Sequence, residues 1–307
     1  MNEASHVVLG GNGTIGRETI RALVSYGHTP LSVGRRPAVV PGTPSIQADL
    51  LDAADTEVAL RGADVAYFVP GLPYDSRVWQ EQWPVLLNNA IDAALCHGTR
   101  LIYFDNVYAY GRATERMTES SASAPASRKG RVRAAALDLL AAAQSRGLHF
   151  TIARSADFYG PGAATSVFNT FALDKMARGK RPVWLFDADQ PHSLTYTPDI
   201  GRGLATLGLA DTAPGSVWHL PTAPAMTGRE YLQLAGDARP SVMSSATMRF
   251  GAVFNAAARE TLEMSYQYTA PYVFDSTKFT EAFNVHPTPT EEGVSAALDA
   301  ALAPIPA

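Results

Sequence analysis

Residues 7–16 of the chain read VVLGGNGTIG. A short apolar run ends in Gly10, Gly13 and Gly16, spaced G-x-x-G-x-x-G, and the helix-like RETIRALVSYG follows at once. Strand, glycine turn and helix N-terminus in that order make a phosphate site. Glycines let the backbone approach a pyrophosphate, and the first-turn amides and helix dipole stabilise its charge. A bare glycine triplet says little; its place between a strand and a helix gives it weight. A bound dinucleotide is the premise that follows, against the alternative of a tight turn that binds nothing.

The segments after the turn keep alternating. Strand-like runs at 6–11, 29–34, 45–50, 64–70, 100–105 and 149–155 are separated by helix-like runs beginning near Thr14, Asp52, Trp79 and Arg128. Strands joined by helical crossovers predict an α/β fold, a doubly wound, Rossmann-like parallel sheet. Ligands then bind beyond the carboxyl ends of the strands. The polar stretch GRATERMTESSASAPAS (111–127) reads as a loop over that edge. After Ser155 the pattern loosens into the loop FYGPGAATS, a helix over VFNTFALDKMARGK and a strand PVWLF. Next come TYTPDIGRGLATLGLA, where Asp199 is expected to cap a helix, and VWHLP, a late sheet strand. One helix over MRFGAVFNAAARETLEMSYQ, the extended PYVFDSTKF and a last helix from about Thr290 complete the chain. The expected division is a dinucleotide-binding domain over 1–154 and a smaller, mixed, mostly substrate-binding region over 155–307. Segments from about 190 to 221 return to the first domain.

Composition narrows the function. With 307 residues, 46% hydrophobic and 18% charged, one large α/β domain, or one with a smaller partner, can bury a full core. A net charge of −4 and a pI near 6.0 give no support for nucleic acid or membrane as a partner. Cys96, the single cysteine, excludes an intrachain disulfide, and its helical apolar setting (AIDAALCHG) predicts a buried core thiol. No His/Asp/Glu cluster has metal-ligand spacing, so no metal is expected. The N-terminus enters a strand almost at once, leaving no room for a signal peptide, and no apolar run reaches the roughly 18–20 residues of a membrane helix. The expectation is a soluble, cytoplasmic protein acting on a small molecule.

With these elements placed, the chain resembles the extended short-chain dehydrogenase/reductase superfamily, in its NAD-dependent epimerase/dehydratase branch, over nearly its whole length. The likeness rests on GGNGTIG, QADL after the third strand, the helical NAIDAA, LIYFDNVYAYG on the fifth strand and RSADFYGPG after the sixth, with TYTPDIGRGLA as a further match. It implies cofactor contacts from Gly10, Asn12, Gly13, Thr14, Ile15 and Gly16 in the turn, and from Asp49 and Leu50 against the adenine. Asp49 equally fits a loop cap. NAD enzymes of this fold carry an acid at the end of the second strand for the ribose hydroxyls. Here VGRRP places Arg35 and Arg36 there. A guanidinium pair suits the 2′-phosphate of NADP, so NADP(H) is expected, with NAD(H) as the other option. The alternative is two solvated surface arginines. Relatives commonly pair through a helical face, which leaves room for a homodimer.

The catalytic half departs from the family pattern. Redox members use a Ser or Thr on the fifth strand and a Tyr-x-x-x-Lys pair, whose lysine holds the nicotinamide ribose and lowers the tyrosine pKa. Lys129 matches that lysine, but Pro125 stands where the tyrosine should be and Asn106 where the serine should be. Proline transfers no proton, and Asn106 hydrogen-bonds without acting as an acid near neutral pH. Loss of a positioned general acid costs about 10²–10⁴ in rate, so an oxidoreductase needs a replacement. Tyr108 is the preferred one: in sugar dehydratases sharing the strand motif its position carries a carboxylate facing substrate. Strand alternation puts Asn106, Tyr108 and Tyr110 on one side, Tyr110 being structural. Tyr108 fits an acid and a packing or stacking residue equally well. Asp105 is a third option, as base or loop cap.

Nucleotide-sugar members read R-x-x-N before the Gly-Pro loop, and the asparagine helps hold the diphosphate. This chain reads Arg154-Ser-Ala-Asp157. A carboxylate repels a diphosphate, which argues against a nucleotide sugar. Asp157 grips a cation or a substrate hydroxyl, or bonds its own loop. His192 falls where family loops approach substrate, and Tyr159 near the nicotinamide as a wall; Arg154 anchors a strand end. Tyr74, Trp79 and Trp83 either roof the cleft over a partly apolar substrate or lie in the core. Three readings follow. The first is an NADP(H)-dependent reductase, dehydrogenase or epimerase of a small carbonyl or hydroxyl compound, worked by Tyr108, Lys129 and Asn106. The others are a non-catalytic NADP-binding sensor or scaffold and a redox-neutral lyase or isomerase.

Overall fold

The apolar runs fold into short strands: β1 (His6–Leu9), β2 (Leu31–Gly34), β3 (Ser45–Gln47), β4 (Val65–Phe68), β5 (Arg100–Asn106) and β6 (Phe150–Ser155). The computed structural model describes residues 5–112, 115–236 and 241–303. Every residue of β1, β4 and β6 is buried, the continuous burial of parallel strands covered on both faces. With β11 (Ser216–His219) these strands form a seven-stranded sheet ordered β3-β2-β1-β4-β5-β6-β11, with every neighbouring pair parallel. Strand order reverses between β1 and β4, and that switch point opens the binding crevice.

Side-chain alternation sends Val7 and Leu9 to one layer and Val8 to the other. The first layer is α2 (Ala53–Leu60), α3 (Ser76–His97) and α4 (Arg128–Gln144), through Leu60, Trp83, Leu87 and Leu140. The second is α1 (Thr14–Ser25) and α6 (Thr197–Leu209), through Ile20, Leu23, Ile200 and Leu204. Asp52 caps α2 and Ser127 caps α4. Asp75 takes the N-cap of α3, so that helix begins three residues before Trp79.

Beyond β6 the chain builds smaller pieces. β7 (Asp157–Tyr159) pairs with β10 (Leu194–Tyr196), β9 (Pro191–His192) with β12 (Met226–Thr227), and β8 (Val183–Leu185) with β13 (Ser241–Met243). A π-helical turn over Asn169–Leu173 leads into α5 (Asp174–Ala177), where the sequence predicts one regular helix. α7 (Gly228–Leu234), α10 (Thr277–Phe283) and α11 (Thr290–Leu302) complete this region.

Three local expectations are corrected. The helix predicted over 248–267 is two, α8 (Ser245–Phe254) and α9 (Ala256–Glu263), because Asn255 adopts an extended backbone and its side chain caps α9. Asp199 does not cap α6: the N-cap is Tyr196, and the Asp199 carboxylate accepts from the Thr288 amide and hydroxyl, both at 2.7 Å. Cys96 lies exposed on α3 instead of in the core. Residues 111–127 run without a long regular element, tied down where Met117 bridges to Phe274; residues 113–114 fall outside the described residues. No helix among the described residues is long and apolar enough to cross a membrane.

Candidate active site

The glycine turn lies at the switch point. Gly10 adopts φ +90°, and a Cβ there would stand 2.8 Å from Pro70 Cα, so the turn packs backbone-to-backbone on the exit of β4. A Cβ on Gly16 would collide with the Gly10 carbonyl oxygen, so α1 presses directly on the turn. Gly13 is the N-cap of α1 and supplies no side-chain acceptor. The first-turn amides of Thr14, Ile15 and Gly16 are therefore uncapped by any side chain, the arrangement that receives an anion. The Ile15 side chain is buried, so only its backbone reaches a ligand. This cradle fits a pyrophosphate.

Asn12 acts indirectly. Its Nδ2 donates to the carbonyls of Arg36 (3.0 Å) and Pro37 (2.8 Å), and its Oδ1 accepts from the Val39 amide (3.1 Å). The whole side-chain amide is spent fixing the loop that presents the exposed Arg35 and Arg36. Leu50 is buried, while Asp49 is exposed and its Oδ1 accepts from the Leu51 amide, a loop cap. Sequence reasoning missed Arg17, whose Nη2 donates to the Gly162 carbonyl (3.2 Å) and links the first turn of α1 to the loop after β7.

The catalytic strand ends sooner than alternation predicts. β5 stops at Asn106 and the chain turns into a 3-10 helix over Tyr108–Tyr110, so the three residues do not share a strand face. Asn106 Oδ1 accepts from the Tyr108 amide (3.0 Å) and closes that turn. Tyr110 is buried and hydrogen-bonds His219 Nε2 (2.8 Å). His219 Nδ1 faces the Asp275 carbonyl (2.6 Å), and burial drives the His219 pKa down to about 3. Tyr108 stacks on Trp79 with ring centroids 6.3 Å apart. Its phenol is pushed well above the usual range by burial, and further by Tyr74 and Asp157.

Lys129 does not relieve this. It is 0% exposed and ion-paired with Glu260 of α9, with its Nζ 4.0 Å from the Tyr74 ring centroid. Among the described residues no cation figures in the main causes of the Tyr108 shift, so the preference for Tyr108 as acid gives way to Tyr108 as aromatic wall. Asp105 is also removed as a base. It is fully buried, with Oδ2 3.0 Å from Arg154 Nε and Nη2 and Oδ1 3.6 Å from Arg133 Nη1. Arg133 in turn lies 3.9 Å from the Trp83 ring centroid, which places Trp83 in the core beneath the site.

Asp157 and His192, from different strands, are brought together. Asp157 Oδ2 is 3.1 Å from His192 Nε2 and accepts from Tyr268 Oη (3.2 Å). His192 Nδ1 faces the Gln267 carbonyl (3.2 Å), and the ring stacks on Tyr268 and Tyr272 with centroids 4.6 and 4.4 Å away. A carboxylate and a carbonyl are both acceptors, so each ring nitrogen of His192 faces an acceptor. Burial and the Asp157 charge push the Tyr268 and Tyr272 phenols well up, so both stay neutral. Neither tyrosine stood out in the sequence, because they belong to a segment whose local pattern reads only as helix end and extended chain. Tyr159 is corrected from cleft wall to core residue: it is 1% exposed and packs with Phe168 and Tyr196.

A doubly wound sheet with a glycine cradle at its switch point and a polar cluster beyond its carboxyl ends defines a dinucleotide-binding enzyme. The family model for the NAD dependent epimerase/dehydratase family matches residues 6–217, and the chain belongs to that family. No curated protein sequence is similar enough to count as a match. Among solved structures, a double mutant of the dTDP-glucose 4,6-dehydratase DesIV from Streptomyces venezuelae with NAD bound superposes with a TM-score of 0.77 at 19% identity, covering 96% of each chain. UDP-glucuronic acid 4-epimerase from Bacillus cereus with NAD gives 0.77 at 16% identity, covering 97% of this chain and 98% of that one. UDP-glucose 4-epimerase from Thermus thermophilus with NAD gives 0.74 at 20%, with the same coverage. Identities this low speak for the shared fold.

Proposed function

We propose that the protein is an NADP(H)-dependent oxidoreductase of a small hydroxyl or carbonyl compound with an apolar or aromatic body. The observation that carries this reading is the Asp157–His192–Tyr268 hydrogen-bonded set beside the stacked Tyr108 and Trp79. A nicotinamide ring, when bound, supplies or accepts the hydride. Asp157 takes the proton from the substrate hydroxyl during oxidation and returns it during reduction, and His192 steadies the carboxyl group through its Oδ2. Asn106 is half-buried beside this cleft, but its oxygen is engaged by the Tyr108 amide. Its Nδ2 is left to polarise the substrate oxygen. Tyr108 and Trp79 stack on the substrate body and exclude water. His192 is already paired with a carboxylate, so it is not free to hold a diphosphate. This favours a substrate without a nucleotide over the nucleotide sugars named for the structural relatives.

Cofactor preference rests on Arg35 and Arg36, exposed at the end of β2 and steadied by Asn12. The test is a titration with NADPH and NADH followed by nicotinamide fluorescence, on wild type and Arg35→Ala. NADPH binds more tightly to wild type, and the variant loses about 10–100-fold of that affinity, the size of a charge-assisted hydrogen bond. Binding of neither nucleotide overturns the reading. Aromatic aldehydes and ketones are then screened for NADPH oxidation. The second reading, an NADP-binding scaffold without turnover, is favoured by the sealed Lys129 and gains ground if NADPH binds and nothing oxidises it.

A further inference from the structure

Helix α9 rests Ala258 and Leu262 on an apolar cluster, but its one buried residue is charged, Glu260. Glu260 Oε2 pairs with Lys129, Oε1 accepts from Ser76 Oγ (2.8 Å), and Arg128 Nη2 lies 3.4 Å from Oε1. Arg128 also binds Glu263 at the end of α9, through its amide (2.5 Å) and Nε (3.1 Å). The outer face of the preceding helix is left bare, with Phe250, Val253 and Phe254 between 66% and 79% exposed. The extended Asn255 separates the two helices.

The two partners of the buried pair depend on each other unequally. If Lys129 leaves, Glu260 keeps a hydroxyl and a guanidinium. If Glu260 leaves, Lys129 keeps the face of Tyr74 and the charge of Glu263 acting on it without an ion-pair contact. Burial pushes the Lys129 pKa down against its pairing with Glu260. Burial also works against the Glu260 charge, but hydrogen bonds from Lys129 and Ser76 outweigh it and hold that pKa low. Room for a change of partner exists: a cavity of about 260 Å³ lined by Ser76, Arg128, Arg259 and Glu260 borders the carboxylate.

We propose that Glu260 is a positioning residue that holds Lys129 in a shielded state, and that the ribose hydroxyls of a nicotinamide dinucleotide displace it from the lysine and loosen α9. The proposal rests on the reading that Lys129 meets the cofactor. Because Lys129 is 0% exposed, no ligand atom reaches its ammonium while Glu260 and Tyr74 both stay in place. Cofactor binding and release of α9 are then two sides of one equilibrium, and weakening the latch raises affinity by as much as it destabilises the shielded state.

NADPH is titrated by fluorescence into wild type, Glu260→Gln, Lys129→Met and the double variant, and amide hydrogen exchange over residues 256–263 is measured with and without NADPH. Glu260→Gln keeps a hydrogen bond for Ser76 but removes the charge, and binds NADPH about tenfold more tightly than wild type. In the Lys129→Met background the same change alters affinity less than twofold, as a coupling through the lysine requires. NADPH speeds exchange over 256–263 in wild type. Unchanged or weaker binding by Glu260→Gln, or exchange that NADPH leaves unaltered or slows, overturns the latch. Binding by Glu260→Gln but not wild type supports it. If neither protein binds either nucleotide, the cofactor reading itself has failed.

Discussion

Replacing Asp105 by Asn separates a structural carboxylate from a catalytic one. The side chain is fully buried, between Arg154 on one oxygen and Arg133 near the other, and those arginines are themselves 4% and 7% exposed. Asparagine keeps the volume and one acceptor but strands two buried cations. Breaking a buried ion pair from one side costs about 3–5 kcal/mol, because the remaining charge has no counterion. Unfolding entropy of about 2.1 cal/mol/K per residue over 307 residues gives roughly 0.6 kcal/mol per degree. The expected fall in Tm is therefore about 5–8 °C, read by differential scanning calorimetry. NADPH affinity at 15 °C, well below the transition, stays within twofold of wild type. A loss of turnover with a Tm change under 1 °C would refute the reasoning and restore Asp105 as a base.

Two further outcomes follow from the same geometry. Asp157→Asn lowers turnover of a carbonyl compound found in the screen by about 10²–10⁴ while NADPH affinity holds; turnover within threefold of wild type would take the proton away from Asp157. His219 is neutral in the fold, its pKa lowered to about 3 by burial, whereas an unfolded histidine titrates near 6.5. Its contribution is fully present above about pH 6.5 and is lost as pH falls toward 3, at up to about 1.4 kcal/mol per pH unit. Urea unfolding at stepped pH should show wild type losing more stability over that window than His219→Gln; equal slopes would place the histidine in a solvated setting.

The sequence by itself determined the sheet and the cofactor cradle. Six strands, the helix starts near Asp52 and Arg128 and the glycine turn are local features: an apolar run, a short polar side chain before a helix, a residue without Cβ where backbones meet. The gap at Pro125 was legible in the same way, since a missing phenol needs no fold to be noticed. What fills the gap was not legible. Tyr108 looked like the substitute because its position in related sugar dehydratases carries a carboxylate facing substrate, but here the strand ends at Asn106 and Tyr108 starts a 3-10 turn. Lys129 matched the family's ribose-holding lysine, and nothing near it in the chain announces Glu260, 131 residues later. Asp157, His192 and Tyr268 were scattered across the sequence, and only the pairing of β7 with β10, beside β9, places them in one hydrogen-bonded set. Local propensity and spacing fix elements whose cause lies within a few residues. The protonation and availability of a buried group depend on partners that tertiary packing alone supplies.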